Sequence, residues 1–364
     1  LRFVLVLLAI LVAIAGRCWF SLSRLSFSFG PTNPSGTQVV CYKYDASLDD
    51  QFVQIRDLES GRVLHDFSDR AGTWGDLIAW IDNQTIVALD GNRTAAEAPN
   101  FMETMKLAPK PRIIERREVA GQYVSTLAAV DRGSYCFSVE LNEGANRCLK
   151  VMRVSSSGVD TVEPLEIAAF HLGLREEAHV SHMSTALGKL IVTIVPTPAV
   201  PGTAGSNQSR PNDYECTDGV NQSSMLVDAA SGTLTHLDPN IKFVEGSDEF
   251  LWKPTPNGIE IFRPGKMETP LEGITSRNGG AVYPISMDDQ NLFAMEYVGK
   301  TRRVRILNRI NRKEKEFNFS SRTSLHVSSK GDIYSFRRDG KLSKMDPNTG
   351  KTRSVASVRF WAAF

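Results

Sequence analysis

A turn of the form Asp-x-x-Ser/Thr-Gly recurs three times in this chain, each time between short apolar runs. It reads Asp57-Leu-Glu-Ser-Gly61, Asp228-Ala-Ala-Ser-Gly232 and Asp346-Pro-Asn-Thr-Gly350, with Asn308-Arg-Ile-Asn-Arg312 as a degenerate copy. The residue types suit a hairpin. The Asp side chain caps the turn, Ser or Thr adds a second local hydrogen bond, and Gly takes the positive φ that closes the reversal. A chain that repeats this turn must be built largely from short antiparallel strands.

A second series of turns agrees. Pro34-Ser-Gly36, Asp82-Asn83, Asp131-Arg-Gly133, Leu187-Gly188, Pro256-Asn-Gly258, Asp288-Asp-Gln-Asn291 and Lys330-Gly331 each precede an alternating or wholly apolar run. These runs read as strands and the turns as inner hairpins. The seven units are spaced about 33 to 70 residues apart and average near 50, the period of propeller blades. The expected fold is all-β, a single β-propeller of about seven four-stranded blades. Two segments interrupt the pattern. Residues 91–111 carry a short helix expected over Phe101 to Leu107 between Pro99 and Pro109, and 196–224 is rich in Pro, Gly, Ser and Asn. The final strand, Thr352 to Val358, or the apolar tail after it, is expected to pair with the Gln38 to Tyr44 region and close the ring.

The three Asp-x-x-Ser/Thr-Gly turns resemble those of bacterial propellers in the quinoprotein-like and WD40-like repeat superfamily. The resemblance implies a fold and no activity. Quinoprotein repeats place a docking Trp eight residues after the Asp; here those positions hold His65, His236 and Ser354. That departure argues against a quinone cofactor, and no cofactor is expected.

The N-terminus carries a different signal. Arg2 precedes the apolar run Phe3 to Ala15, which ends in Ala13-Ile14-Ala15. These are the parts of a secretory signal peptide, with Gly16 as the first mature residue. An uncleaved membrane anchor is the alternative. Residues 16–36 then read as a linker and 37–364 as the propeller. The expected location is secreted or periplasmic after cleavage, or otherwise membrane-anchored with the propeller outside the cytoplasm. An oxidising compartment lets cysteines pair. Cys136 and Cys148 flank an expected hairpin and are expected to form a disulfide; Cys41 could pair with Cys216 by elimination.

Net charge is +1, which carries no signature of nucleic-acid binding. The average conceals an asymmetry: residues 299–364 hold 17 Lys and Arg against 5 Asp and Glu. Arg302, Arg303, Arg305, Arg309, Arg312 and Lys313 form the densest part of this basic sector. They are the expected contact for a protein or anionic polymer, set against a plain solvated rim.

Catalytic signals are sparse. The sequence lacks a Gly-x-Ser-x-Gly elbow, a His-Glu-x-x-His motif and a Gly-rich phosphate loop. Residues at the starts of inner strands could meet in a central channel. On that basis His179, Asp248, Glu249 and His326 are the catalytic candidates, and Glu177 and His179 the metal-ligating ones. The balance favours a non-enzymatic extracytoplasmic binding or scaffold propeller. A hydrolase or lyase with a metal-assisted channel site, and a membrane-tethered assembly factor, are the alternatives.

Overall fold

The computed structural model describes residues 25–45, 50–67, 77–90, 100–119, 123–131, 133–143, 146–155, 165–172, 178–186, 189–196, 223–238, 240–244, 250–263, 266–267, 269–277, 279–328, 331–337 and 340–357. The apolar run at 3–15 and the tail after Ser357 lie outside them.

The strands fall into seven four-stranded antiparallel sheets, the seven blades. Blade one comprises β1 (Leu25–Thr32), β2 (Gln38–Asp45), β3 (Asp50–Asp57) and β4 (Val63–Asp66). Blade two follows with β5 (Ile78–Trp80), β6 (Thr85–Asp90), β7 (Asn100–Lys106) and β8 (Arg112–Val119). Blade three has β9 (Tyr123–Asp131), β10 (Ser134–Glu143), β11 (Asn146–Ser155) and β12 (Leu165–Leu172). Blade four has β13 (Ala178–Ala186), β14 (Lys189–Pro196), β15 (Ser223–Asp228) and β16 (Leu234–Leu237). Blade five has β17 (Lys242–Phe243), β18 (Leu251–Thr255), β19 (Gly258–Phe262) and β20 (Glu272–Thr275). Blade six has β21 (Val282–Met287), β22 (Asn291–Val298), β23 (Thr301–Asn308) and β24 (Glu314–Ser320). Blade seven has β25 (Thr323–Val327), β26 (Ile333–Arg337), β27 (Lys341–Met345) and β28 (Thr352–Ser357). The first strands of neighbouring blades touch around most of the ring, β21 instead meets β18 and β19 of blade five, and β25 touches β1. The expected seven-bladed propeller is therefore present.

The blades adhere through seven apolar clusters, each straddling one pair of neighbours. Val40, Ile55, Ile86 and Ala88 join blades one and two, and Val87, Leu89, Tyr135 and Phe137 join two and three. Ile259, Ile261, Leu292 and Ala294 join five and six. Both faces of an inner strand are thus covered. That is why Ile86, Val87, Ala88 and Leu89 read as a continuous apolar run rather than an alternating one.

The repeated turn occupies one structural position, the hairpin between the third and fourth strands. In blade one the Ser60 backbone N–H and hydroxyl both donate to Asp57 Oδ1, at 2.7 and 2.6 Å. Gly61 closes the turn at φ 68°. Blade four repeats this with Asp228, Ser231 and Gly232 (φ 70°), and blade seven with Asp346, Thr349 and Gly350 (φ 69°). These backbone and hydroxyl donors hold the Asp228 and Asp346 carboxyls below their ordinary range. In the degenerate copy Asn308 Oδ1 accepts from Asn311 N–H at 3.0 Å, and Arg312 takes the glycine's place at φ 61°.

Several expectations are corrected. The segment read as a linker contains β1, which supplies blade one with its own inner strand. The final strand β28 therefore pairs with β27 and not with Gln38 to Tyr44. Each blade is one contiguous stretch of chain, and the ring is closed without a shared sheet, by side-chain packing and by side-chain bonds such as Lys344 to Glu59 at 2.9 Å. The short helix expected over Phe101 to Leu107 is instead β7, paired on both sides by β6 and β8. Its Met, Glu and Lys favour helix, but two ladders of hydrogen bonds outweigh that preference. Pro256-Asn-Gly258 is not an inner hairpin; it joins β18 to β19. The inner strand β17 has only two residues, too few to leave a pattern in sequence. Cys136 lies opposite Arg153 and Cys148 opposite Leu141 in the same pair of strands. That five-residue offset is roughly 17 Å along a strand, beyond the ~7 Å limit between bridged Cα atoms. The register rules out the expected disulfide. Cys41 is buried, and burial pushes its thiol up to about 12. Cys216 lies outside the described residues.

Candidate ligand-binding groove between blades five and six

Strand β23 carries Arg303 and Arg305 two residues apart, so both project from one face. Arg303 faces Glu296 of β22 across the ladder, and Arg305 faces Glu316 of β24. Glu296 is fully buried. Its Oε1 accepts from Ser276 Oγ at 2.9 Å and from the Arg277 N–H at 3.0 Å. Its Oε2 lies 3.6 Å from Arg303 Nη1 and 3.9 Å from Arg305 Nη1. A carboxylate this deep is tolerated only with such partners, because desolvating it alone costs several kcal/mol.

The arginines spread this network across the boundary between blades. Arg305 Nη1 donates to the Thr275 carbonyl of β20 at 2.6 Å, while its Nε pairs with Glu314. Arg277, just past β20, reaches back to Glu314 at 2.7 Å and also pairs with Glu316. Arg309 donates to the Asp288 carbonyl at 2.6 Å and lies 5.3 Å from the Phe250 ring centre. Arg312 pairs with Glu272 at the start of β20. Five guanidinium groups thus meet four carboxylates across two blades.

Where the network reaches solvent it leaves a groove of about 340 Å³. One wall is formed by Gly273 to Arg277, faced by Arg305, Leu307, Arg312 and Glu314. The side chains of Arg277 and Arg312 are 51% and 61% exposed, against 5% for Arg305.

The expected basic patch is therefore divided. Arg303, Arg305 and Arg309 are consumed by the glutamates. Arg302 points to the other neighbour, donating to the Thr323 carbonyl at 2.6 Å and lying 5.3 Å from the Tyr297 ring centre. Arg312 and Lys313 are exposed. The sequence reading missed Arg277 and the four glutamates. A local signal existed for two of them: Arg303 and Arg305 on one arm of a hairpin face Glu314 and Glu316 on the other. Arg277 and Glu272 belong to another blade and gave no local sign.

The channel candidates fare differently. Glu177, Asp248 and Glu249 lie outside the described residues. His179 is described only in its backbone, opposite Val195 in β13. His326 stands on β25 at the seam between blades seven and one. Its ring centre is 5.6 Å from that of Phe29, and its buried Nε2 has no hydrogen-bond partner. Burial pushes its pKa down to about 4, so it packs there as a neutral ring. Among the described residues, no three His, Cys, Asp or Glu are grouped to hold a metal ion. No helix among them is long and apolar enough to cross a membrane.

No protein-family model matches the chain, and no curated protein matches it significantly. Solved structures do. A prolyl endopeptidase is similar with a TM-score of 0.59 and 14% identity, over 92% of this chain and 49% of that one. The acylaminoacyl peptidase of Pyrococcus horikoshii is similar with a TM-score of 0.54 and 10% identity, over 91% and 52%. The tricorn protease follows at 0.50 and 10%, over 93% and 35%. The chain thus spans about half the length of these peptidases or less. At such identities the likeness is one of fold.

Proposed function

We propose that this propeller is a non-catalytic binding module, acting outside the cytoplasm, that takes an anionic protein or polymer at the groove between blades five and six. The observation behind this reading is the pair of exposed guanidinium groups, Arg277 and Arg312, on a groove rooted in a buried Arg–Glu lattice. A rigid base fixes where the charges sit, and exposure leaves them open to a ligand. The excess of 17 basic over 5 acidic residues in 299–364 adds long-range attraction. The apolar run at Phe3 to Ala15 supports export, by cleavage or as an anchor.

The test is binding of labelled heparin, a polyanion without peptide groups, by fluorescence anisotropy at low and high salt. The reading expects binding at low salt that weakens steeply as salt screens the charges. It also expects a clear loss in Arg277→Gln/Arg312→Gln. Absence of low-salt binding by the folded protein refutes it.

A hydrolase is the second reading, favoured by the fold likeness to peptidase chains. It predicts hydrolysis of peptide substrates that falls in His179→Ala and Asp248→Ala.

A further inference from the structure

We infer that the open edge of β20 receives an extended acidic peptide, paired main chain to main chain, with its carboxylates on Arg277 and Arg312. This rests on the anion-binding reading above and names the class of partner.

The edge itself carries the first part of the argument. Strand β20 is the last of its blade and, among the described residues, is hydrogen-bonded as a strand to β19 alone. The Ser276 N–H donates inward to the Asn257 carbonyl at 2.6 Å. Alternation along an antiparallel strand then turns the main-chain groups of Ile274 and Glu272 inward as well. Those of Thr275 and Gly273 face away from β19, where the Thr275 carbonyl is already taken by Arg305 and Gly273 is left for a ligand. The Thr275 carbonyl confirms the phase, because it accepts from Arg305 across the groove. Gly273, on the groove wall and exposed, then directs its N–H and carbonyl toward the opening with no side chain between them and a ligand. An edge strand with such groups is a template for another strand, and glycine is the residue that lets a second backbone approach.

The ends of the edge supply the second part. Arg312 stands by Glu272 at its start, and Arg277 follows Thr275 at its finish. From Glu272 to Arg277 the backbone advances five residues, roughly 17 Å, a span that the long arginine side chains can close to the roughly 13 Å between acidic residues four positions apart on an extended peptide. Glu272, Glu314 and Glu316 already sit in these guanidinium forks, which shows that carboxylates fit them. The arginine ends of these pairs are exposed while the glutamates are largely covered, so an incoming carboxylate shares the guanidinium groups from the solvent side. Leu271, 38% exposed just before the edge, offers an apolar contact.

The experiment uses the whole chain and a labelled seven-residue peptide with glutamates four positions apart and valines between. Two further peptides carry N-methyl groups on alternate residues, one set on the odd and one on the even positions. Anisotropy at low salt should show binding by the parent peptide. One methylated set should weaken it about tenfold, the cost of about 1.4 kcal/mol, and the other should leave it unchanged. Arg277→Gln and Arg312→Gln should each weaken the parent several-fold without lowering the melting temperature appreciably. Heparin bound while the parent peptide is not, or equal binding of both methylated sets, overturns the inference and leaves the anion-binding reading standing. Failure of heparin and peptide alike removes both.

Discussion

Lowering the pH from 7.5 to 5 should loosen the seam between blades seven and one, and His326 should account for most of the difference that one substitution can remove. The ring packs against Phe29 with its Nε2 unpaired, and burial holds its pKa near 4, against 6.5 when free. A histidine depressed in the folded state binds more protons when unfolded, so stability falls as pH drops through the window between 6.5 and about 4. At pH 5 the unfolded histidine is almost fully protonated and the folded one about a tenth so. Linkage gives a loss of about 2 kcal/mol by that pH, rising to about 3 kcal/mol near pH 4. The charged groups across this seam are Glu59, Lys344, Arg353 and Asp332. Lys344 is held above its ordinary range chiefly by its hydrogen bonds to Asp332 and Glu59, against the pull of desolvation. The Glu59 carboxyl is held below its ordinary range by Lys344 and Arg353, so it keeps its charge at pH 5. The assay is urea unfolding of wild type and His326→Leu at pH 7.5 and 5. The wild type should lose about 2 kcal/mol more than the variant over that interval. Equal losses in the two proteins would refute the reasoning, since every other titrating group is common to both.

Three further outcomes follow from the structure. Glu296→Ala should cost about 3 to 5 kcal/mol, because it leaves Arg303, Arg305, Ser276 and the Arg277 N–H without their shared acceptor; calorimetry of the variant checks it. Arg312→Gly should be neutral or raise the melting temperature, since relief of a left-handed residue is worth about 1 to 2 kcal/mol and its pair with Glu272, exposed on the arginine side, contributes about 1; a clear drop would show that the pair dominates. Glu59→Gln should destabilise by less than about 1 kcal/mol, and double-mutant cycles with Lys344 should show the effect vanish in high salt and as pH falls through the depressed carboxyl pKa.

The sequence by itself determined the repeating unit. Asp57, Asp228 and Asp346 with their Ser or Thr and Gly form a turn whose hydrogen bonds lie within five residues, so local chemistry suffices to announce it. The apolar runs between such turns fixed the all-β class and the blade count for the same reason. Where an element is too short or too ambiguous to leave a period, the reading failed. The two-residue β17 left no trace, and β7 was written in residues that favour helix until its two neighbours claimed it. Register decided the cysteines: one hairpin holds both, but the ladder sets Cys136 and Cys148 five residues apart. The groove is the clearest case of what tertiary structure alone decided. The sequence displayed a run of arginines as a free basic surface. Blade six folds Arg303 and Arg305 onto its own Glu296, Glu314 and Glu316, and packing against blade five adds Glu272 as the partner of Arg309 and Arg312. Whether a cation is free depends on which carboxylates the fold places within about 4 Å of it, and partners 20 or more positions away along the chain are set by packing between blades.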